Sequence, residues 1–507
     1  MILKTPKDYL FTLVQSLNKS EKRNFKLYAN RFQEGATFIQ LFDLLNQMAF
    51  YDESKILREL PAISKRTLSN HKRHLYQQIL KSLRLIYIKK DLEIYIHEQI
   101  DFARILYTKG MYMQALRTLE RIKSKAQEHH QDTLHLEIIE FQKRIEARHI
   151  TRSRRVENKM EGLLEEAQQR SRIAHSSNLF SNFNIQLQGW YIQHGHVKSE
   201  TEIEAVQRFF EEQLPRDFLS TGLTFFEKAN LYQAYMWYHY ILLDFESALR
   251  HAKSWAALFE TDDPMREKDP TLYIRALYYL MVLHYMLDNA AAIERCLDRF
   301  ERFYEVSRDR LDKSSDLIAR VYFYLSQLNY AFVSQHYAKG IALIPEIKRE
   351  LKAAEVHTDV HRILLFYYKF AYLHFCQQQY AEALDYLNEI IHLKAGSLRE
   401  DLLHNTRMLH LLCHYELGNY QLADYLIKAV RRLFDKATDL SPMLYQTLRF
   451  LNELVKKPVL EHPAAFRAFA HQLRSAEQAP FERKSIHYLD IPAWVRQHTE
   501  KGQYKAR

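Results

Sequence analysis

Glycine and proline are scarce. The chain of 507 residues holds 10 of the first and 11 of the second, about a third of the roughly 12% that average usage supplies. So few turn-formers exclude sandwiches, barrels and propellers, which need many tight turns, and linker-rich or collagen-like chains. Cysteine is also sparse. Cys296, Cys376 and Cys413 lie far apart inside apolar helical runs, a pattern of small buried thiols and not of a disulfide framework. Long hydrophobic runs are missing too. The longest strongly apolar uncharged run, Ala276 to Leu287, spans 12 residues, against the roughly 20 that a membrane-crossing helix needs. Lys7 and Asp8 interrupt the N-terminal stretch where a signal peptide would be apolar. A cytoplasmic chain without a membrane span is expected.

The motifs of common catalysis are absent as well. There is no G-x-x-x-x-G-K-[ST], G-x-G-x-x-G, G-x-S-x-G, H-E-x-x-H or C-x-x-C. The pairs His357/His361 and His410/His414 have the helical spacing of two metal ligands but no evident third or fourth. No catalytic residue, cofactor or metal is expected, and the function is expected to be non-enzymatic.

What the chain does have is helix. Hydrophobic residues make up 47% and charged residues 26%, and the length exceeds the roughly 250 to 300 residues that one core usually holds. From about residue 95 a helical hairpin recurs: Ala103 to Ile122, Lys369 to Ile390 and Met408 to Val430 each contain two helices around a short turn. In each, an aromatic (Tyr112, Tyr380, Tyr420) precedes a small residue (Ala115, Ala383, Ala423) by three positions. The small residue lets two antiparallel helices approach closely and the aromatic fills the space beside it. Weaker copies place Phe245 before Ala248, Asn289 before Ala292 and Tyr337 before Gly340, and Gly162 and Ala205 complete eight candidate crossing positions at a period of 40 to 48 residues. Hairpins of fixed period that cannot bury their apolar faces alone stack into a solenoid.

The Gly110/Tyr112/Ala115 and Gly418/Tyr420/Ala423 cores resemble the tetratricopeptide family, as do Ala103 and Ala371 in the first helices. That resemblance covers roughly residues 95 to 440 and implies an all-α, right-handed alpha-solenoid of antiparallel hairpins, with helices or loops longer than those of the family's 34-residue unit. It also implies a concave groove lined by first helices. In that register the groove residues are Trp237, Tyr240, Tyr322, Asn329, Tyr368, Tyr372, Asn405 and Tyr415, a set suited to capturing a protein or peptide partner. His239, His374 and His414 fall at equivalent first-helix positions, which points to packing within the repeat.

Three divisions follow: a basic helical module over residues 1–92, the array over 93–440, and capping helices with a tail over 441–507. Five of the 11 prolines, beginning with Pro442, fall in the last part, where Asp490 ahead of Pro492 predicts the start of a final helix carrying Trp494. Pro345 falls inside a predicted second helix. At the other end, Ser20 and Asp52 are candidate N-caps. The first 90 residues carry 17 Lys/Arg against 7 Asp/Glu, whereas the remainder balances at 55 each, so the net charge of +10 belongs to the head. The stretch after Ser64 places Leu68, Leu75, Ile79, Leu83 and Ile86 on one stripe, with Arg66, Lys72, Arg73, Lys81 and Arg84 outside it. Those five cations form a candidate surface for an anionic partner, and Arg148, Arg152, Arg154 and Arg155 could extend it. The layout is also similar to that of peptide-responsive bacterial regulators that join a helix-turn-helix to tetratricopeptide repeats. Two functions follow: a bacterial-type adaptor holding a protein or peptide in its groove, or a nucleic-acid-binding regulator using residues 60–90, with a peptide-sensing or homodimerising solenoid.

Overall fold

The computed structural model describes residues 8–29, 31, 37–148, 159–214, 222–261, 264–353, 360–392, 400–435, 441–477 and 487–504. Among them every regular element is a helix. The chain forms two compact units, residues 1–174 and 175–507.

In the first unit, helices Tyr9–Ser16, Lys19–Ala29, Thr37–Gln47 and Glu53–Glu59 gather around the 20-residue helix Leu68–Tyr87, and Phe25, Leu41, Phe42, Leu45, Leu75 and Ile79 are buried between them. Asp52 caps its helix as expected, its side chain accepting from the Lys55 N–H. Ser20 does not cap: the start belongs to Asn18, whose side chain accepts from the Glu21 N–H at 2.9 Å while Glu21 reaches back to the Asn18 N–H at 2.8 Å. This reciprocal pair satisfies two of the amide groups that a helix start leaves open. Helices Leu92–Thr108, Tyr112–Glu128 and Asp132–Arg148 then pack in sequence around Ile100, Ala115, Leu119, Ile122 and Ile138.

From Phe225 the second unit is a run of hairpins in which each helix packs on its chain neighbours, and from Pro270 first helices also meet the next first helix. The pairs are Phe225–Ile241 with Phe245–Thr261, Pro270–Met286 with Ala290–Ser307, Lys313–Val333 with Tyr337–Ala353, Val360–Cys376 with Tyr380–His392, and Glu400–Glu416 with Tyr420–Phe434. Pro442–Leu454, His462–Glu477 and Ile491–Tyr504 follow, the last started by Asp490, whose carboxylate accepts from the Ala493 N–H at 2.8 Å. Pro345 lies inside its helix, which runs on to Ala353.

The repeat is written most clearly in the backbone. Six first helices end on a residue of positive φ: Gly110, Leu243, Asp288, Gln335, Gln378 and Gly418. At five of these ends the next N–H bonds to the carbonyl five residues back: Met111 to Leu106, Asp244 to His239, Asn289 to His284, Gln379 to His374 and Asn419 to His414. These closures satisfy the orphan carbonyls of a helix end. The equivalent histidines pair across the same turns with their side chains: His239 with Asp244, His374 with Gln379 and His414 with Asn419. Only two of the six left-handed positions are Gly, which is why the repeat is faint in sequence.

Five residues beyond each left-handed residue lies the crossing position: Ala115, Ala248, Ile293, Gly340, Ala383 and Ala423, all buried. Two expectations change. In the hairpin Pro270–Ser307 the crossing register falls on Ile293, one residue later than Ala292, because Asn289 is the cap, its side chain accepting from the Ala292 N–H. Gly162 and Ala205 are exposed and are not crossing positions. Helix Lys159–His194 runs unbroken for 36 residues, and Val206 and Phe210 supply the buried face of Glu200–Gln213, so the regular period lapses between the first hairpin and Phe225.

Candidate functional site

The groove residues of the second unit converge on one cavity of about 230 Å³. Four successive first helices and helix Lys159–His194 line it, and spacing repeats from helix to helix: Tyr278/Val282/Tyr285, Leu325/Asn329/Phe332 and Leu365/Lys369/Tyr372 each recur at four and then three residues. That spacing keeps one stripe of each helix on the cavity side. Eight lining residues are tyrosines, Lys369 is a lining cation, and His487 and Tyr488 from the C-terminal part enter the wall.

Five of the expected residues come together here: Trp237, Tyr240, Asn329, Tyr368 and Tyr372. Tyr322 stacks face to face on the lining Tyr278, with ring centroids 3.9 Å apart. Asn405 and Tyr415 do not join them. Asn405 is buried, its side-chain amide donating to the Asp401 carbonyl. Tyr415 has the register of Tyr240 and Tyr285, three residues before its left-handed turn, but the C-terminal helices cover it: its hydroxyl pairs with His462 Nδ1 at 2.9 Å, and Phe466 and Trp494 flank its ring. The sequence reading missed Tyr191, Tyr278, Tyr279, Tyr285, Lys369, His487 and Tyr488. Tyr285 was recoverable from the turn register, had Asp288 been recognised as the left-handed residue.

The chemistry of this wall is hydrogen-bond donation from a low-polarity surface. Burial pushes the phenols of Tyr240, Tyr279, Tyr285, Tyr368 and Tyr372 above the ordinary tyrosine range, so their hydroxyls keep their protons. Two donate to main chain: Tyr285 to the His487 carbonyl at 2.8 Å and Tyr368 to the Tyr488 carbonyl at 2.9 Å. The Asp490 N–H in turn donates to the Tyr372 hydroxyl at 2.9 Å. A helical turn ends at Tyr488, so the tyrosines take up carbonyls that a helix end leaves open. Lys369 Nζ donates to Asn329 Oδ1 at 2.7 Å and lies over the rings of Tyr285 and Phe332 at 5.1 and 5.3 Å, a partly buried cation beside π faces and an amide oxygen. The buried indole N–H of Trp237 has no partner among the described residues.

The first unit carries a different opening, a cleft of about 610 Å³ whose lining includes Arg117, Glu120, Lys123, Gln142, Glu146 and Glu166. Glu166 joins Lys123 at 2.9 Å to His135 at 2.9 Å, and the His135 ring is fully buried. Burial lowers the His135 pKa. Burial works against the Glu166 carboxylate, yet its bonds to Lys123 and His135 hold it below the usual range.

The basic residues of the head divide. Arg66, Arg73, Lys81 and Arg84 are exposed, and Arg84 reaches Asp101 at 3.7 Å. Lys72 turns inward to pair with Asp8, donates to the Tyr51 hydroxyl at 3.0 Å and lies over its ring; it is spent on the fold and leaves the outward set. Arg152, Arg154 and Arg155 lie outside the described residues, as does His357. His410 and His414 pack ring against ring at 4.6 Å. No helix among the described residues is long and apolar enough to cross a membrane.

No family model matches the chain, and no curated protein does. Among solved structures the chain is similar to the apo form of RapI, at 13% identity, with 81% of this chain and 98% of that one covered and a TM-score of 0.39. A likeness at that level leaves the functional reading to this chain's own residues.

Proposed function

We propose that this protein is a non-enzymatic helical-repeat adaptor of tetratricopeptide-like type that holds a protein or peptide partner on the tyrosine-lined wall of residues 175–507. The observation that carries the reading is the use the wall already makes of its hydroxyls. Tyr285, Tyr368 and Tyr372 bond main-chain carbonyl and amide groups of a segment more than 100 residues away in sequence, and such bonds recognise a polypeptide whatever its side chains. Rigid aromatic rings add contact area at small entropic cost.

Affinity purification from the native host with wild type and a Trp237→Phe/Lys369→Met variant tests it. Both substitutions keep bulk in the wall while removing an N–H and a charge. Recovery of the partner should fall at least about tenfold, the effect expected for two lost polar contacts; undiminished recovery by the variant would end the reading. The exposed Arg66, Arg73, Lys81 and Arg84 would dock a second, anionic partner. Reversing Arg66, Arg73 and Lys81 to Glu should remove salt-sensitive retention on immobilised duplex DNA or heparin, and a wild type that shows none has no such surface.

A further inference from the structure

Resting on the groove reading, we infer that the segment His487–Asp490 is a tethered competitor for the site, and that the ligand is a peptide presenting an aromatic residue and a short apolar link, which binds by displacing it. The segment fits the wall only in part. Its main chain takes up three tyrosine hydroxyls, through the carbonyls of His487 and Tyr488 and the N–H of Asp490. Yet a cavity of about 230 Å³ stays open beside Tyr488, and the Trp237 N–H at its wall stays unpaired. An outside peptide making the same three bonds and also filling the cavity satisfies more of the site than the resident segment does.

The anchors divide at Asp490. On one side His487 and Tyr488 are partly exposed and one side chain, Leu489, is buried in the core, a place that the apolar link of an incoming peptide takes over; on the other, Ile491, Trp494 and Val495 are core residues. Trp494 Nε1 and His498 Nε2 both reach Glu416 Oε1 at 2.6 Å. Displacement can therefore stop at Asp490 and leave the last helix docked. A tethered segment competes at the high effective concentration set by its short connection, so the free protein shows an apparent affinity lowered by the fraction of molecules whose site is occupied.

The test uses the full-length protein and a labelled synthetic peptide with the sequence of Ser485 to Trp494, followed by fluorescence anisotropy. Tyr488→Ala should bind the peptide about tenfold tighter than wild type, the gain expected when an occupied fraction near nine-tenths is released. Adding Tyr285→Phe and Tyr368→Phe should cancel most of that gain. A second measurement on wild type guards against a variant that misfolds: saturating peptide should speed hydrogen exchange at the Asp490 amide, which Tyr372 protects. Equal affinity of wild type and Tyr488→Ala, or no binding by either, overturns the inference, as does unchanged exchange at Asp490. If the competitor fails while Trp237→Phe/Lys369→Met still loses the native partner, only the competitor is wrong; if that variant keeps its partner, the groove reading fails with it.

Discussion

Residues 1–174 and 175–507 use the same hairpin and put different chemistry inside it. In the first unit Ala115 lets two helices cross, and the neighbouring opening is organised by charge, with Glu166 joining Lys123 to a fully buried His135. In the second, Ala248, Gly340, Ala383 and Ala423 play the part of Ala115, and the opening is organised by phenols that donate to main chain. Crossing positions fix how close two helices come; they leave free what the far side of each helix presents. One packing rule thus supports an ion-paired cleft and an aromatic cavity in one polypeptide.

The largest expected effect breaks the charged side of that comparison. Glu166→Ala leaves the buried His135 without its carboxylate and Lys123 with only the exposed Glu120, 3.2 Å away, and chemical denaturation should register a loss of about 2 to 3 kcal/mol. On the aromatic side the corresponding sensitivity is to acid. Burial, with the nearby His414 and Arg407 adding to it, lowers His410 from 6.5 to about 4. A histidine depressed in the folded state takes up its proton more readily when unfolded, so stability is complete above pH 6.5 and falls as the pH drops towards 4. Between pH 7 and 5 the loss from His410 should reach about 2 kcal/mol, and His410→Gln should flatten the profile.

Two glycines sharpen the packing rule itself. A Cβ at Gly340 would meet the Ala331 Cβ and the Leu373 methyls at 3.0 Å, whereas one at Gly162 would meet nothing within 4 Å. Gly340→Ala should therefore cost about 1 to 2 kcal/mol through overpacking. Tyr415→Phe, which removes only the bond to His462, should cost about 1 kcal/mol. Gly162→Ala, in an open stretch of helix, should add about 0.5 to 1 kcal/mol. Denaturant midpoints for the three variants decide the order, and a stabilising Gly340→Ala would dissolve the equivalence of Gly340 with Ala115.

Much of the architecture was legible because it is local. The scarcity of turn residues, the small residue three positions after an aromatic, and Asp490 ahead of Pro492 each act within one turn of helix, and the structure carries all three. The lapse around Gly162 and Ala205 was not legible, since a small residue in the right place says nothing of whether a helix lies opposite. Ile293 escaped for the opposite reason: the crossing there is made by a large residue. The turns escaped because four left-handed positions are Leu243, Asp288, Gln335 and Gln378, none of them Gly, and at three of these the closing hydrogen bond follows directly.

The sequence by itself determined that this protein is helical, built of hairpins and charged at its head, because composition and periodicity act over a few residues. Tertiary structure alone decided which tyrosines share a wall, that Tyr415 is covered while Tyr285 is used, that Lys72 is tied to Asp8, and that His487 to Asp490 reach Tyr285, Tyr368 and Tyr372. Those contacts join residues up to about 200 positions apart, and no pattern of helical period encodes which helix will stand across a cavity from another.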